Sequence, residues 1–430
     1  MLGLFQSAMA ALFWCFTTYD ESVDAITNAT SISMGNEYIQ QYYGFFIHVH
    51  TMIFVGFGFL MTYLYKHMYS SVGLNFLISA FTLQWAILVN GGMHCLFNNK
   101  WEKIHLDIVS LICGDFAVAA TLISFGAVLG RVSYKQLLVM AILECLFFAA
   151  SENIYVEWWD AVDMGGSVIV HMFGAVFGLA VSWVLGKPDD LYNMTTTRVS
   201  ETFAMIGCIF LWMFWGSFNG ALAVGNSQHR VIINTVLALS ASCVSAFLTS
   251  RYFKGKFDMV HVANATLAGG VIVGSSSDMV IGSGTAIIIG MLGGFISVFG
   301  YQYIQGFLEK LGIYDTCGVA SLHGIPGMLG GLGGALSTWV LADGDIYGDN
   351  IEDIYPSMAD GRTANEQSKF QGLGLLTSLG VAIVGGLLTG GILRVLPKKT
   401  EFYTDDEWSN DDDDDDYNHD DDDEENLKDR

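Results

Sequence analysis

Apolar stretches of roughly 17–25 residues, each long enough to cross a hydrocarbon layer of about 30 Å as a helix, recur along the whole chain. They lie at 3–18, 43–65, 70–93, 106–129, 134–150, 163–185, 200–224, 231–250, 258–275, 279–304, 316–341 and 372–396. Short polar or charged segments separate them, and after 397 the pattern stops. Twelve windows predict an all-α polytopic membrane protein whose two termini share a face. Glycine, alanine and serine run through the windows, which suits helices that approach one another over small residues. The first window has no basic flank ahead of it, which favours a membrane helix over a signal peptide.

Composition agrees with the pattern. Of 430 residues, 52% are hydrophobic and 14% charged, with 49 glycines and only four prolines. An ordinary soluble domain carries about a quarter of its residues charged, so that class is excluded. The net charge of −24 is unevenly placed, because residues 401–430 hold 17 acidic side chains against Lys428 and Arg430. The run "NDDDDDDYNHDDDDEEN" cannot bury a core and is expected to be a solvated, disordered tail, a possible partner for basic cytoplasmic proteins. Seven cysteines (15, 95, 113, 145, 208, 243, 317) contain no CxxC pair, so neither a disulfide framework nor a metal site is expected. The domain division is 1–42 as N-terminal helix and outer loop, 43–397 as membrane domain, and 398–430 as tail.

Loop charges set the orientation. With the termini cytoplasmic, the inner loops and the approach to the tail hold twelve lysines and arginines, against five in the outer loops. The excess belongs inside. The sequon Asn28-Ala29-Thr30 then falls outside, making Asn28 a candidate glycosylation site, whereas Asn193-Met194-Thr195 falls inside.

Two windows share a pattern. "DMGGSVIVHMFGAVFG" places Asp163 eight residues before His171, and "DTCGVASLHGIPGMLG" places Asp315 eight residues before His323. A glycine follows each histidine at the same distance (Gly178, Gly330), and the offset between copies is 152 residues. Each unit, about 43–185 and 200–341, contains five windows, and an odd count forces the copies into opposite orientations. Inverted repeats of this kind place their working site near the midplane where the copies meet. At 1.5 Å per residue each histidine lies about 12 Å from its aspartate, so an aspartate near a membrane face puts the histidine near the middle. A lone membrane histidine is read as a packing residue; two at matched repeat positions are read as functional. Neutral imidazoles offer donor and acceptor atoms without charge, a lining for a small neutral permeant that exchanges protons. No third ligand is spaced to complete a metal site between them.

At these residues the chain resembles the Rh glycoprotein branch of the ammonium transporter (Amt/Rh) family. The matching segments are "GDFAVAATLISFGAVLG" (114–130), "DMGGSVIVHMFGAVFGL" (163–179), "WMFWGSFNGA" (212–221), "FDMVHVANATLAGGVIVG" (257–274) and "DTCGVASLHGIPGMLGG" (315–331). The resemblance runs over roughly 1–397 and omits the tail. It implies a homotrimer in a lipid bilayer, each subunit with its own narrow hydrophobic pore for ammonia. His171 and His323 match the family's twin-histidine pair, and Phe116 and Phe218 the stacked phenylalanines at the outer end of the pore. Asp163 matches the acid beneath the outer vestibule, Asp315 is its repeat mate at the inner end, and Glu152 resembles a vestibule acid that attracts ammonium. Ser151 stands where Amt proteins carry a recruitment-site tryptophan.

The expected function is therefore an ammonia/ammonium channel-transporter in the plasma membrane or an endomembrane. Ammonium would lose its proton at the outer vestibule and cross as neutral ammonia. Electrogenic movement of ammonium, conduction of carbon dioxide and a non-conducting scaffold are the alternatives. No enzyme activity, cofactor, metal or nucleic-acid partner is expected. Phe116 and Phe218 read from composition alone would only pack, Asp163 and Asp315 would be helix caps, and Glu152 a solvated loop charge. His48, His50, His94 and His261 lack repeat mates and are read as packing or interface residues.

Overall fold

The computed structural model describes residues 2–23, 29–188, 195–348, 351–396 and 404–408. Twelve helices organise it: α1 Leu2–Phe16, α2 Ile32–Leu60, α3 Tyr65–Phe97, α4 Ile108–Val128, α5 Tyr134–Trp158, α6 Ser167–Leu185, α7 Arg198–Gly220, α8 Gly225–Lys254, α9 Met259–Ser276, α10 Ser283–Lys310, α11 Ile325–Leu341 and α12 Ala364–Val395. Ten are long and apolar enough to cross a membrane, while α1 and α11 are shorter apolar helices. The helix count matches the twelve hydrophobic windows.

The ends differ from the windows because polar residues continue or cap the helices. In α2 the helix begins well ahead of 43, and α12 begins at Ala364 rather than 372. Reciprocal side-chain caps start four of them: Asp107 with Ser110 at α4, Ser133 with Gln136 at α5, Thr197 with Ser200 at α7 and Thr363 with Glu366 at α12. Each satisfies amides that the first helical turn leaves without partners. One departure from all-helical structure is a short parallel pair, β1 Thr17–Tyr19 with β2 Ile104–Leu106. It ties the segment after α1 to the loop between α3 and α4. Helix α1 also packs on α3, where Phe5 stacks on Phe81 at 3.7 Å.

Glycine contacts allow the helix backbones to approach closely. A Cβ at Gly207 would meet the Leu60 backbone nitrogen at 2.1 Å, and one at Gly386 would meet the Phe177 carbonyl at 2.4 Å. Helix α12 lies against α5, α6 and α11, and it carries no repeat mate.

The two repeats show matching local structure. Asp163 precedes a left-handed Gly166 (φ 66°) and a wide π-type turn, Ser167–Met172, that opens α6. Asp315 precedes a left-handed Gly318 (φ 72°) and a wide turn, Ala320–Gly324, that opens α11. Positive φ favours glycine at both points. Arg131 Nη1 donates to the Tyr314 carbonyl at 2.7 Å and Nη2 donates to the Gly186 carbonyl, joining the end of the first repeat to the loop ahead of α11.

Part of the tail is seated on the start of α3. Asp405 Oδ2 accepts from the Met68 amide at 2.9 Å and Oδ1 from the Ser70 amide at 2.8 Å, so a carboxylate meets the positive end of a helix. Trp408 lies over Gly73 beside Phe59, Thr62, Tyr69, Val72 and Phe203. Trp408→Ala is expected to release this segment, seen as several-fold faster limited proteolysis ahead of Thr404 with no change in the membrane core. Unchanged cleavage would mean that the Asp405 hydrogen bonds and the Lys66–Asp406 pair hold it without the indole.

Candidate functional site

The centre of the fold is built from the first, third and fifth helices of each repeat. From the first come Phe57 on α2, Phe116 on α4 and His171 on α6. From the second come Trp215 and Phe218 on α7, Asn264 on α9 and His323 in the turn before α11. The repeats meet at the histidines.

His171 Nδ1 and His323 Nδ1 stand 3.2 Å apart, with the rings nearly parallel at 14°. Each side chain belongs to a residue only 2% exposed. A neutral imidazole has one donor and one acceptor nitrogen, so one ring donates from Nδ1 and the other accepts there. The accepting ring then carries its hydrogen on Nε2. In His171, Nε2 is buried and has no protein partner, which leaves a polar atom for something other than the fold. The contact requires one donor and one acceptor ring, and either histidine can take either role.

Aromatic rings continue the line on both sides. Toward the side that the loop charges make the outer one, His171 contacts Phe218 at 5.5 Å between centroids and Phe218 meets Phe116 edge-on at 4.8 Å. Inward, His323 faces Phe57 at 6.5 Å. Trp215 stacks on His171 at 5.4 Å, in a space that Gly270 keeps open, since a Cβ there would touch the indole at 2.5 Å.

A cavity lies on each side of this line. The outer one, of about 260 Å³, is bordered by Phe116, Phe218, Glu152, Asp163, Asp278 and Asp353. The inner one, of about 20 Å³, is bordered by His323, Phe57, Tyr63, Asn264 and Val319. The rings of Phe116, Phe218, His171 and His323 thus stand between an acidic cavity and a small apolar one.

The two repeat aspartates act on the backbone. Asp163 Oδ2 accepts from the amides of Val168 and Ile169 at 2.8 and 2.9 Å. Asp315 uses one oxygen for each amide, Oδ1 for Val319 at 2.9 Å and Oδ2 for Ala320 at 2.8 Å. Each carboxylate thereby fixes the turn from which its histidine projects. Asp163 also borders the outer cavity, whereas Asp315 borders neither of the two cavities. Glu152 borders the outer cavity and a second one of about 490 Å³ shared with His94, Glu102 and His105. Ser151 faces α12, donating to Ser378 Oγ at 3.0 Å, and Trp159 bonds Thr377 there, so neither reaches the outer cavity.

The four histidines without repeat mates have protein partners, His94 Nδ1 lying 3.5 Å from Glu157 Oε1. His50 Nδ1 lies 3.0 Å from Asp115 Oδ2, His48 bonds Ser217, and His261 bonds Ser250. Asn28 lies outside the described residues. Among the described residues no group of three His, Cys, Asp or Glu side chains is placed to hold a metal ion. Sequence reasoning passed over Trp215, Phe57 and Asp278. Trp215 stands three residues before Phe218, the spacing that puts both on one helix face, and that signal was available.

The chain matches the profile of the Ammonium Transporter Family over residues 9–422. It is 45% identical over 420 residues to ammonium transporter Rh type B-B of Xenopus laevis, covering 94% of this chain and 90% of that protein. Against ammonium transporter Rh type B of Mus musculus the identity is 43%, over 91% of this chain and 87% of that one. Rh50 of Nitrosomonas europaea, described as one of the Rhesus protein family of channels, superposes with a TM-score of 0.71 at 30% identity, over 92% of this chain and 96% of that chain. These relatives are transporters and channels rather than enzymes. This integral, multi-pass membrane protein therefore belongs to the Ammonium Transporter Family, within its Rh branch.

Proposed function

We propose that the protein moves ammonium nitrogen across a membrane by releasing the proton in the outer cavity and passing neutral ammonia between His171 and His323. The observation that carries this reading is the buried imidazole pair, 3.2 Å apart, with His171 Nε2 left without a protein partner. Ammonia has a lone pair and N–H groups. A neutral imidazole edge matches either, accepting or donating according to tautomer.

Charge separates the permeant from its precursor. The outer cavity gathers Glu152, Asp163, Asp278 and Asp353, an acidic surface that concentrates a cation. Past Phe116 and Phe218 the rings offer no carboxylate, and a dehydrated cation there costs several kcal/mol. The neutral form has no such barrier. Parting of the two phenylalanine edges, 4.8 Å apart between centroids, opens the way.

The same reading takes the functional unit to be a homotrimer with both termini cytoplasmic, in the plasma membrane or an endomembrane. Asn28 then falls in an extracellular or lumenal segment as a glycan acceptor, and the acidic tail is the binding segment for basic cytoplasmic partners. Repeats 43–185 and 200–341 within a 43–397 membrane domain complete the assignment. A second reading, electrogenic movement of ammonia plus a proton, is favoured by the direct nitrogen-to-nitrogen contact, which is a proton path.

The test uses purified protein in liposomes holding a pH dye, under an inward ammonium gradient, with current recorded on a supported membrane. Rapid internal alkalinisation without sustained current is expected. A sustained ammonium-dependent current would establish the electrogenic reading. Absence of both in folded protein would remove transport and leave a scaffold; carbon dioxide flux is read in the same vesicles as internal acidification.

A further inference from the structure

Two histidines outside the central pair share one helix and reach both halves of the phenylalanine pair. His48 and His50 stand two residues apart on α2, so they leave it about 200° apart around its axis. Helix α2 packs against α4, which carries Phe116, and against α7, which carries Phe218. His50 Nδ1 lies 3.2 and 3.0 Å from the two oxygens of Asp115, the residue immediately before Phe116. His48 Nδ1 lies 2.8 Å from Oγ of Ser217, the residue immediately before Phe218.

Both contacts are held firmly. Asp115 is 0% exposed, and among the described residues the hydrogen bonds to its carboxylate come from His50. A buried carboxylate without a donor is costly, so His50 carries a hydrogen on Nδ1 and α4 is tied to α2 at that level. The His50 ring packs on Phe46 and Phe54, at 5.0 and 4.6 Å between centroids. His48 stacks on Phe214 at 4.7 Å, and Phe214 stands one turn before Phe218 on the same face of α7. Holding Asp115 and Ser217 fixes the rotation of α4 and α7 where their phenylalanines project. One such contact reads as an ordinary packing histidine. Two on one helix, each on the residue before one ring of the pair, make a clamp. The repeat offset places Ser200 and Thr202 at the matching positions of the second repeat, so the clamp belongs to the Phe116–Phe218 end alone.

We propose that His48 and His50 are positioning residues that set the spacing of Phe116 and Phe218, and through it the size of the amine that passes. This rests on the functional reading above, in which the two rings must part. They meet edge-on with centroids 4.8 Å apart. An added methyl group must force them further open than ammonia does. Loosening either helix therefore helps methylamine more than it helps ammonia.

Transport and ring position are read separately. Alkalinisation of dye-loaded liposomes is measured under ammonium and under methylammonium gradients for wild type, His48→Ala, His50→Ala and the double variant. The methylammonium-to-ammonium rate ratio is expected to rise about threefold in each single variant and further in the double, as partial loss of one hydrogen bond from the barrier implies. His48→Asn and His50→Asn keep a polar nitrogen where Nδ1 stood and are expected to keep the wild-type ratio. His50→Ala leaves a buried carboxylate unpaired, so His50→Ala with Asp115→Leu carries the same expectation should the single variant fail to fold. Fluorine NMR of 4-fluorophenylalanine at position 116, in detergent, reads the ring without flux. Its resonance is expected to move in the alanine variants and to return in the asparagine ones. An unchanged ratio in folded, conducting alanine variants would overturn the clamp. A resonance that moves and returns in this way, with no flux in the wild type, would keep the positioning role and overturn the channel.

Discussion

Replacing both central histidines, His171→Ala with His323→Ala, is expected to lower ammonium-driven alkalinisation of liposomes roughly five- to hundredfold while leaving the protein folded. The range follows from the site. On the proposed path an ammonia molecule finds the imidazole nitrogens, with the unpartnered Trp215 Nε1 beside them, as polar partners between the two cavities. Removing them leaves its hydrogen-bonding groups unsatisfied in an apolar passage, a cost of about 1–3 kcal/mol, and each 1.36 kcal/mol in a barrier is about tenfold in rate. Folding is expected to survive because the pair bonds mainly to itself. His323 Nδ1 meets His171 Nδ1, and deletion of both avoids leaving one buried nitrogen orphaned. A single replacement does leave one, so His171→Ala alone is expected to lower the thermal midpoint more than its share of the double variant. Undiminished flux in the double variant would move the conduction path away from the pair.

Which parts of this site were legible in the sequence follows from the kind of signal each part leaves. Membrane helices leave an apolar window regardless of their neighbours, so twelve windows gave twelve helices. Their ends were less legible because caps such as Asp107 with Ser110 are polar and fall outside any hydropathy window. His171 and His323 stood out through repetition, each eight residues after an aspartate, and the structure places them in contact. Phe57 and Trp215 stand against the same two histidines, yet they are one among 29 phenylalanines and one among ten tryptophans. Packing alone selects them. Asp278 has no repeat mate and sits in a loop, where a carboxylate ordinarily meets water; only its burial marks it. The seating of Trp408 was hidden within a composition that reads as solvated tail, because a few docked residues do not alter the average of the segment around them.

The repeat aspartates separate two roles that the sequence motif alone makes look identical. Asp163→Asn is expected to fold nearly as well as wild type. Asp163 spends a single oxygen, Oδ2, on both Val168 and Ile169 amides, and the amide oxygen of asparagine can take its place. Asp315→Asn is expected to lose about 1–3 kcal/mol of stability. There the two oxygens serve one amide each, Val319 and Ala320, so any orientation of asparagine turns its NH2 against a backbone N–H. The buried amide left over loses its acceptor, and the turn carries His323. Thermal midpoints of the two variants in detergent, measured beside wild type, check the difference. Equal losses would mean that charge, and not the division of hydrogen bonds, holds both turns. A stable Asp163→Asn protein would separate the two copies of the motif: at Asp315 two acceptor oxygens hold the turn, and at Asp163 one oxygen takes both amides.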